Sequence, residues 1–515
     1  MEDWTGGYTA DVEYRASYFD EQSPLRLCAT ALVTGWEPRS VEGEFSYCEL
    51  GCGQGTTANL LAATHPRGRF VAVDFNPAHI ARARDFASAA GIGNITFIER
   101  GFTQLVEPGA PDLGEFDFIT LHGVWSWVND ENRRAIVEFI GRSLKPGGIA
   151  YVSYNALPGW SEGAVVQRAL YEVSQLSREP ADRQVTRGVE LLTKLRDAKA
   201  QALRNNRTLD QVVALHRRGA ISYLVHEYLG ANWRAFWFSE VSRALAPAKL
   251  GWIGSAHLAD NFPASRFTPE QAEILQSIPA LDVRETLGDI IDPIEFRRDV
   301  FVRGGRRLGR TRQEDLLRAT RLALQVPAHA FDYEIKFRQG RGKLNEAAYR
   351  PVVEALAEHP RSVGELLDLP ELRRTTLKAV ELVGMLVSSR QAMPLLPDEA
   401  TASAEAAARF NRAVAATVRD QDVPILVALA MPRPGSAYFL TPAEVLAYDI
   451  LGRDPEARPP DIAKEIWPVV KARGDRLLRD GRPIESDAEA EEFLAERLDK
   501  MIREELPIWR QLGAM

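Results

Sequence analysis

The run Glu49-Leu50-Gly51-Cys52-Gly53-Gln54-Gly55 constrains this chain more than any other feature. It follows the apolar segment FSYCEL (Phe45–Leu50) and leads into a helix-compatible stretch that begins at Thr56. Glycines at alternate positions permit a sharp turn and let backbone come close to a ligand. The helix after the turn presents its free N–H groups to the same place. Nineteen residues past Gly55, at the end of a second apolar run, stands Asp74. An acid there can accept hydrogen bonds from both hydroxyls of a ribose. A glycine turn alone would be weak evidence, but between strand and helix, with the acid in place, it specifies a nucleoside site on an open α/β sheet. No lysine follows the loop as a P-loop requires, and the glycine spacing is not the G-x-G-x-x-G of dinucleotide binding.

The surrounding sequence supports such a sheet. Apolar runs at Phe45–Leu50, Arg69–Phe75, Ile95–Glu99, Phe116–Leu121 and Ile149–Tyr154 read as strands covered on both faces. Helical stretches at Thr56–Thr64, Pro77–Ala90 and Asp130–Leu144 separate them, the last closed by Lys145-Pro146-Gly147-Gly148. From Ser161 to His226 strand signals disappear and Arg, Leu, Ala and Glu recur at helical spacing. Leu250–Ala256 and Arg298–Gly304 then read as two further strands of the same sheet, with the helical stretch inserted before them. RRLGRTR reads as an exposed linker, and the hairpin pattern Phe331–Asn345, followed by short helices, suggests a winged-helix-like module. The expected organisation is a Rossmann-like first part over 1–160, a helical insertion over 161–235, completion of the sheet over 236–305, linker and winged-helix-like module over 306–397, and a helical C-terminal region over 398–515.

Bulk properties exclude several classes. A formal net charge of −8 argues against a nucleic-acid partner. The basic patch of arginines from Arg297 to Arg312 reads as a solvated linker. No segment approaches the ~20 apolar residues of a membrane span, and the acidic start is unlike a signal peptide. The three cysteines, Cys28, Cys48 and Cys52, form no CxxC pair, which points to a reducing, cytoplasmic compartment. His226-Glu227 begins like a zinc-protease motif, but position 230 is glycine, so no metal site is expected.

The acid two residues ahead of the first glycine makes the loop similar to the first motif of class I methyltransferases. With YTADVEY (Tyr8–Tyr14), FDFITLHGVWSWV (Phe116–Val128), LKPGGIAYVSYNALPGW (Leu144–Trp160), HEYLGANW (His226–Trp233), GWIGSA and EFRRDVFVRG, the chain resembles bacterial class I methyltransferases that carry a methyltransferase regulatory domain. The resemblance covers about Tyr8 to Gly304 and reaches the C-terminal part only loosely. It implies a class I methyltransferase sheet, S-adenosyl-L-methionine as cofactor, and an acceptor that in one branch is lysine of outer-membrane proteins. A small molecule or glycan is the alternative acceptor, and a non-catalytic cofactor-binding regulator is the alternative function.

The cofactor-binding set expected is Glu49, Gly51, Gly53, Gln54, Gly55, Asp74, Phe75, Asn76, Gly101, Phe102 and His122, with Tyr14 and Tyr18 (and Tyr8) as an N-terminal lid. Glu99-Arg100-Gly101-Phe102 lacks the acid that often reads the adenine amino group, which leaves Phe102 to pack on the ring. Ligands of such sheets lie beyond the C-terminal strand ends, where His122, Trp125, Ser126 and Trp127 follow the fourth strand and Tyr154 and Asn155 end the fifth. His122, with its pKa near neutrality, is the expected general base and Tyr154 the expected acceptor-orienting hydroxyl. Trp125, Trp127 and Asn155 are the expected substrate contacts.

Overall fold

The computed structural model describes residues 17–337, 340–397, 404–420, 427–474, 477–479 and 482–515. Its centre is a seven-stranded sheet of β1 (Ser46–Leu50), β2 (Arg69–Asp74), β3 (Ile95–Glu99), β4 (Phe116–Leu121), β5 (Leu144–Asn155), β6 (Leu250–Ser255) and β7 (Phe296–Arg303). The order is β3-β2-β1-β4-β5-β7-β6. β1 to β5 run parallel, and β7 lies antiparallel between β5 and β6. Every residue of β1 and β4 is buried, as largely apolar runs require of strands covered on both faces. The order reverses between β1 and β4, and that switch point is where an α/β sheet opens a crevice for a ligand.

β5 starts earlier than its sequence suggests. The helix α4 (Asp130–Ser143), which follows α1 (Pro24–Val33), α2 (Thr56–Thr64) and α3 (Pro77–Ala89), passes straight into the strand at Leu144. Leu144 pairs with Phe116 across a register shift, and the Pro-Gly-Gly segment belongs to this irregular strand start. Lys145 and Arg39 both reach the buried Asp117 beside it, anchoring a stretch whose residue types otherwise favour a turn.

The inserted helices α5 (Ser161–Ser174), α6 (Ala181–Asp197), α7 (Arg207–Arg217) and α8 (Ile221–Tyr228) pack around a core of their own that includes Val166, Leu170, Val189, Leu209 and Leu224. The chain leaves the sheet after Asn155 and returns at Phe236. There Ala156 and Phe236 form a bridge, and the Phe236 N–H donates to the Asn155 carbonyl at 2.9 Å. Departure and return at one point hold the helical insertion over the C-terminal end of β5.

The C-terminal residues are more tightly integrated than a tethered region. α2, TTANLLAAT, buries eight of its nine residues, whereas α3 buries only Ile80, Ala83 and Ala87. A helix that is apolar nearly all round needs cover on both sides. The sheet supplies one side of α2. The helix Ala404–Asp420 and the hairpin Val427–Met431/Ser436–Leu440 supply the other, so that Leu60, Phe70, Phe410 and Leu429 share one core. Residues 310–395 form a module with a helix Arg310–Ala319, a hairpin Glu334–Phe337/Gly340–Lys343 and a three-stranded sheet of Arg361–Ser362, Arg321–Leu324 and Ala392–Leu395. It packs on Ala29, Leu32 and Val33 of α1.

The arginines from Arg297 to Arg312 are not a free basic linker. Arg297 is buried against Asp289 and Asp299, Arg298 pairs with Glu21, and Arg306 pairs with Glu37. Arg307 stacks on Trp36, and Arg310 begins a helix. The strand β7, held between β5 and β6, draws its first arginines into the fold, where carboxylates neutralise them.

Candidate active site

A cavity of about 960 Å³ opens at the C-terminal ends of the parallel strands. Its floor is the β1–α2 loop. Gly51, Gly53 and Gly55 all have positive φ, of 74°, 52° and 72°. Their surroundings give them three different jobs. A Cβ on Gly51 would lie 2.5 Å from Val124, and one on Gly55 would lie 2.7 Å from Ala83 and Phe97. A Cβ on Gly53 would meet nothing within 4 Å among the described residues, because that face looks into the cavity. Gly55 is thus a packing glycine rather than a cavity residue.

Asp74 organises the floor. Its carboxylate accepts the Gly53 N–H and the Asn76 N–H, each at 2.9 Å, and it still lines the cavity. Asn76 itself is turned away: its side chain accepts the Ala78 N–H and caps α3, the helix-start role its type favours. Glu49, Gly51, Gln54, Phe75, Gly101 and Phe102 line the cavity as expected from the sequence.

Glu49 provides a direct test of what the floor can hold. Gln22 Nε2 donates to one oxygen at 3.1 Å, while among the described residues the buried Oε2 makes no hydrogen bond of normal geometry. Burial, with the charge of Asp74 adding to it, pushes the carboxyl up to about 8. A cationic amine would satisfy both the orphaned oxygen and the charge. A carboxylate for ribose at one point and a carboxyl short of a cation at another fit the two ends of S-adenosylmethionine.

The walls correct several expectations. Tyr8 and Tyr14 lie outside the described residues. Tyr18 is buried with its hydroxyl 2.7 Å from Ser436 Oγ, and its neighbours Ser17 and Phe19 line the cavity instead. An extended segment sends alternate side chains to opposite faces, so the wall is formed by the residues on either side of the tyrosine. The Phe19 ring stacks on His122 at 3.7 Å between centroids.

The same alternation decides β5. Asn155 lines the cavity, Ser153 Oγ accepts the Gly123 N–H at 2.8 Å, and the Tyr151 hydroxyl meets His122 Nδ1 at 2.8 Å. Tyr154 points to the opposite face, fully buried, and donates to Asp299 at 2.6 Å. It does not reach the cavity.

His122 does line it, but burial and the nearby Arg298 charge push the imidazole down to about 3. It is a neutral wall, not the base with a pKa near neutrality expected from its type. Trp125 is core against Phe236, whereas Trp127, two residues on, faces the cavity.

The roof comes from residues the sequence reading did not assign to the site. Tyr223, His226 and Glu227 of α8, Asn232 after it, and Glu295 and Phe296 at the start of β7 all line the cavity. Glu227 is half-buried and accepts from Asn155 Nδ2 at 3.1 Å. Burial pushes it up to about 7, opposed by the polar groups of Asn155 and Trp233. The motif HEYLGANW carries these residues; in the sequence it marks the family and a non-metal His-Glu pair, and nothing in it points to the cavity. Among the described residues no cluster could hold a metal ion.

Comparison with known proteins agrees with this geometry. A family described as "Methyltransferase domain" matches residues 48–148, and one described as "Predicted methyltransferase regulatory domain" matches residues 220–303. An uncharacterized protein of Synechocystis sp. is 32% identical over 517 residues, covering 99% of each chain. An uncharacterized protein of Rickettsia prowazekii is 25% identical over 321 residues, 61% of this chain and 56% of that one. The solved structure of PKMT2 from Rickettsia typhi in complex with AdoHcy is similar with a TM-score of 0.67. It is 20% identical and covers 95% of this chain and 98% of that one, a likeness of fold. The first matched region holds the glycine loop and Asp74, the second holds α8, β6 and β7, and the chain belongs to the class I S-adenosylmethionine-dependent methyltransferases that carry a methyltransferase regulatory domain.

Proposed function

We propose that the protein methylates lysine side chains of a protein acceptor. The observation that carries this reading is the composition of the cavity away from the glycine loop. Among the described residues it opens to solvent, and the aromatic rings of Trp127, Trp160, Tyr223 and Phe296 line it together with the carboxylates Glu227 and Glu295. Aromatic faces and carboxylates suit an aliphatic stem that ends in a cation, worth ~0.5–2 kcal/mol per ring. The R. typhi protein of the same fold is a lysine methyltransferase, which supports the reading.

S-adenosylmethionine, when bound, supplies an electrophilic methyl group on a sulfonium. Asp74 would hold its ribose, the backbone at Gly51 and Gly53 would admit it closely, and Glu49 with Gln54 would face its amino-acid end. Phe75 and Phe102 would flank the adenine. The chain must also overcome the acceptor's charge. A lysine with its reference pKa of ~10.4 is only ~0.04% neutral at pH 7, a deficit of about 4.6 kcal/mol. Enclosure by aromatic walls weakens the ammonium's hydration and lowers that deficit, and fixing the amine in line supplies much of the remaining rate.

Among the described residues no helix is long and apolar enough to cross a membrane, and all three cysteines are free and buried. The free thiols suit a reducing compartment, and on that ground we place the enzyme in the cytoplasm, acting on its acceptor before export or in place.

The test is incubation of the full chain with methyl-labelled cofactor and fractionated bacterial lysate, followed by acid hydrolysis of the labelled fraction. Label recovered as N-methylated lysine is the expected result. Label in a glycan or small-molecule fraction would contradict the reading.

A further inference from the structure

We propose that Glu227, contributed by the regulatory domain, takes the proton from the acceptor's ammonium group, held in place by Asn155. The inference rests on the lysine reading above and assigns the chemistry that such an acceptor needs.

The argument begins with how Glu227 is placed. Asn155 ends β5, is 2% exposed and is fixed on three sides. Its N–H donates to Ser126 Oγ at 2.9 Å, its carbonyl accepts the Phe236 N–H at 2.9 Å, and its amide Nδ2 donates to Glu227 Oε1 at 3.1 Å. The carboxylate is therefore tied to the sheet edge where the acceptor must enter, although it belongs to a helix more than seventy residues further along the chain.

Its surroundings suit it to accept a proton: burial raises its proton affinity, while Asn155 and Trp233 oppose part of that rise. Trp160 packs against Trp233 at 4.9 Å and Tyr228 at 6.0 Å, giving this end of the cavity an aromatic frame. Glu295 and Phe296 face it from the start of β7, and His226, Tyr223 and Tyr228 accompany it on α8. No ion pair involving Glu227 is found among the described residues, unlike Asp299, which Arg297 neutralises in the core. A carboxyl held near 7 rather than at its ordinary value of 4.5 narrows the proton-transfer gap to a lysine by roughly 300-fold.

The step balances simply. One N–H bond of the acceptor ammonium breaks, an O–H bond forms at Glu227 Oε2, and the nitrogen keeps the electron pair it needs to attack. The neutral carboxyl returns its proton to solvent through the open mouth of the cavity. Neither of the residues first expected to act here can do so: His122 is engaged by Tyr151 and pushed down to about 3, and Tyr154 lies in the core.

Glu227→Gln separates this role from a structural one, because an amide can still bond Asn155 but cannot take a proton. The probe is n-pentylammonium, a lysine side chain without its backbone, titrated by calorimetry into full-length protein saturated with S-adenosylhomocysteine. At pH 6 the wild type should release close to one proton per ammonium bound, as the carboxyl ionises beside the cation, and its affinity should rise through pH 7. Glu227→Gln should bind the probe at least tenfold more weakly at pH 8, with no proton release and no pH dependence near 7, while keeping its affinity for S-adenosylhomocysteine. Glu227→Asp, which keeps the charge, should restore the proton release. Probe binding by the wild type without proton release, or unchanged in Glu227→Gln, would overturn the role of Glu227 and leave the lysine reading intact. Failure of the cofactor-loaded wild type to bind the ammonium at any pH, with n-pentanol binding instead, would overturn the lysine reading and this inference with it.

Discussion

The floor of the cavity and its roof are built by different means. The floor comes from one stretch, Glu49 to Phe75, in which a strand end and a glycine turn are followed, after α2, by the next strand end, and its main ties are backbone N–H groups bonded to Asp74. Above it, Trp127, Asn155 and Phe296 flank the neighbouring strands β4, β5 and β7, and the roof residue Glu227 meets them because the chain leaves the sheet at Asn155 and returns at Phe236. The floor positions its ligand through backbone conformation, so it tolerates little change. The roof works through side chains from separate segments, so individual functions there can be removed one at a time.

If this contrast is right, the largest effect should come from the floor. Asp74→Ala and Gly53→Val should each weaken S-adenosylhomocysteine binding by 100-fold or more in calorimetry, with far-ultraviolet circular dichroism unchanged. The first removes the ribose acceptor, and the second puts a branched side chain at a φ of 52°, directed into open cavity. Unchanged affinity in both would break the assignment of the floor.

The roof should respond differently. Glu227→Gln should lower turnover about 30-fold or more at pH 8, roughly 2 kcal/mol in the barrier, with cofactor affinity within a factor of two. The wild-type rate should rise through pH 7 as Glu227 ionises, and that inflection should be missing from the variant's pH–rate profile.

How legible each half was follows from the same contrast. The floor could be read because its residues are adjacent in sequence and their types are dictated by backbone geometry. β3 and β4 begin and end where their apolar runs do, and β6 and β7 join the first five strands in one sheet. The roof could not be read so directly. Which of Tyr151 or Tyr154 approaches His122 depends on the face that β5 presents, and a run apolar on nearly every residue does not reveal that face. The same ambiguity put Tyr18 where Phe19 lines the cavity, and it kept Trp125 beside Trp127 among the expected contacts although only Trp127 faces the cavity. Glu227 escaped notice because nothing local relates α8 to the end of β5. The irregular start of β5 was hidden for a different reason: its Pro-Gly-Gly composition indicates a turn, and only the pairing of Leu144 with Phe116 overrides it.

A smaller effect should separate site from core. Tyr154→Phe removes a hydroxyl bonded to the buried Asp299, which should cost about 1.5–3 kcal/mol of stability in urea denaturation. Turnover of the folded variant should stay within about threefold of wild type. A tenfold loss of turnover with stability intact would return Tyr154 to the site.

The smallest effect concerns His122. Its folded value of about 3 lies below the ordinary 6.5, so the unfolded chain binds a proton there that the folded chain does not. That contribution to stability is complete above pH 6.5 and is lost as pH falls toward 3. His122→Asn should make stability against acid shallower by about one proton across this window, and it should leave the turnover inflection near pH 7 in place. Loss of that inflection in His122→Asn, with Glu227→Gln retaining it, would exchange the roles of the two residues.

The most direct test of the two-part cavity is a crystal structure of the full chain with S-adenosylhomocysteine bound. The ribose hydroxyls should be hydrogen-bonded to Asp74 and the amino group should face Glu49. The sulfur should point toward the Asn155–Glu227 pair, with room between them for one amine. A ribose away from Asp74, or a sulfur turned away from Glu227 with protein filling the space between, would contradict the account.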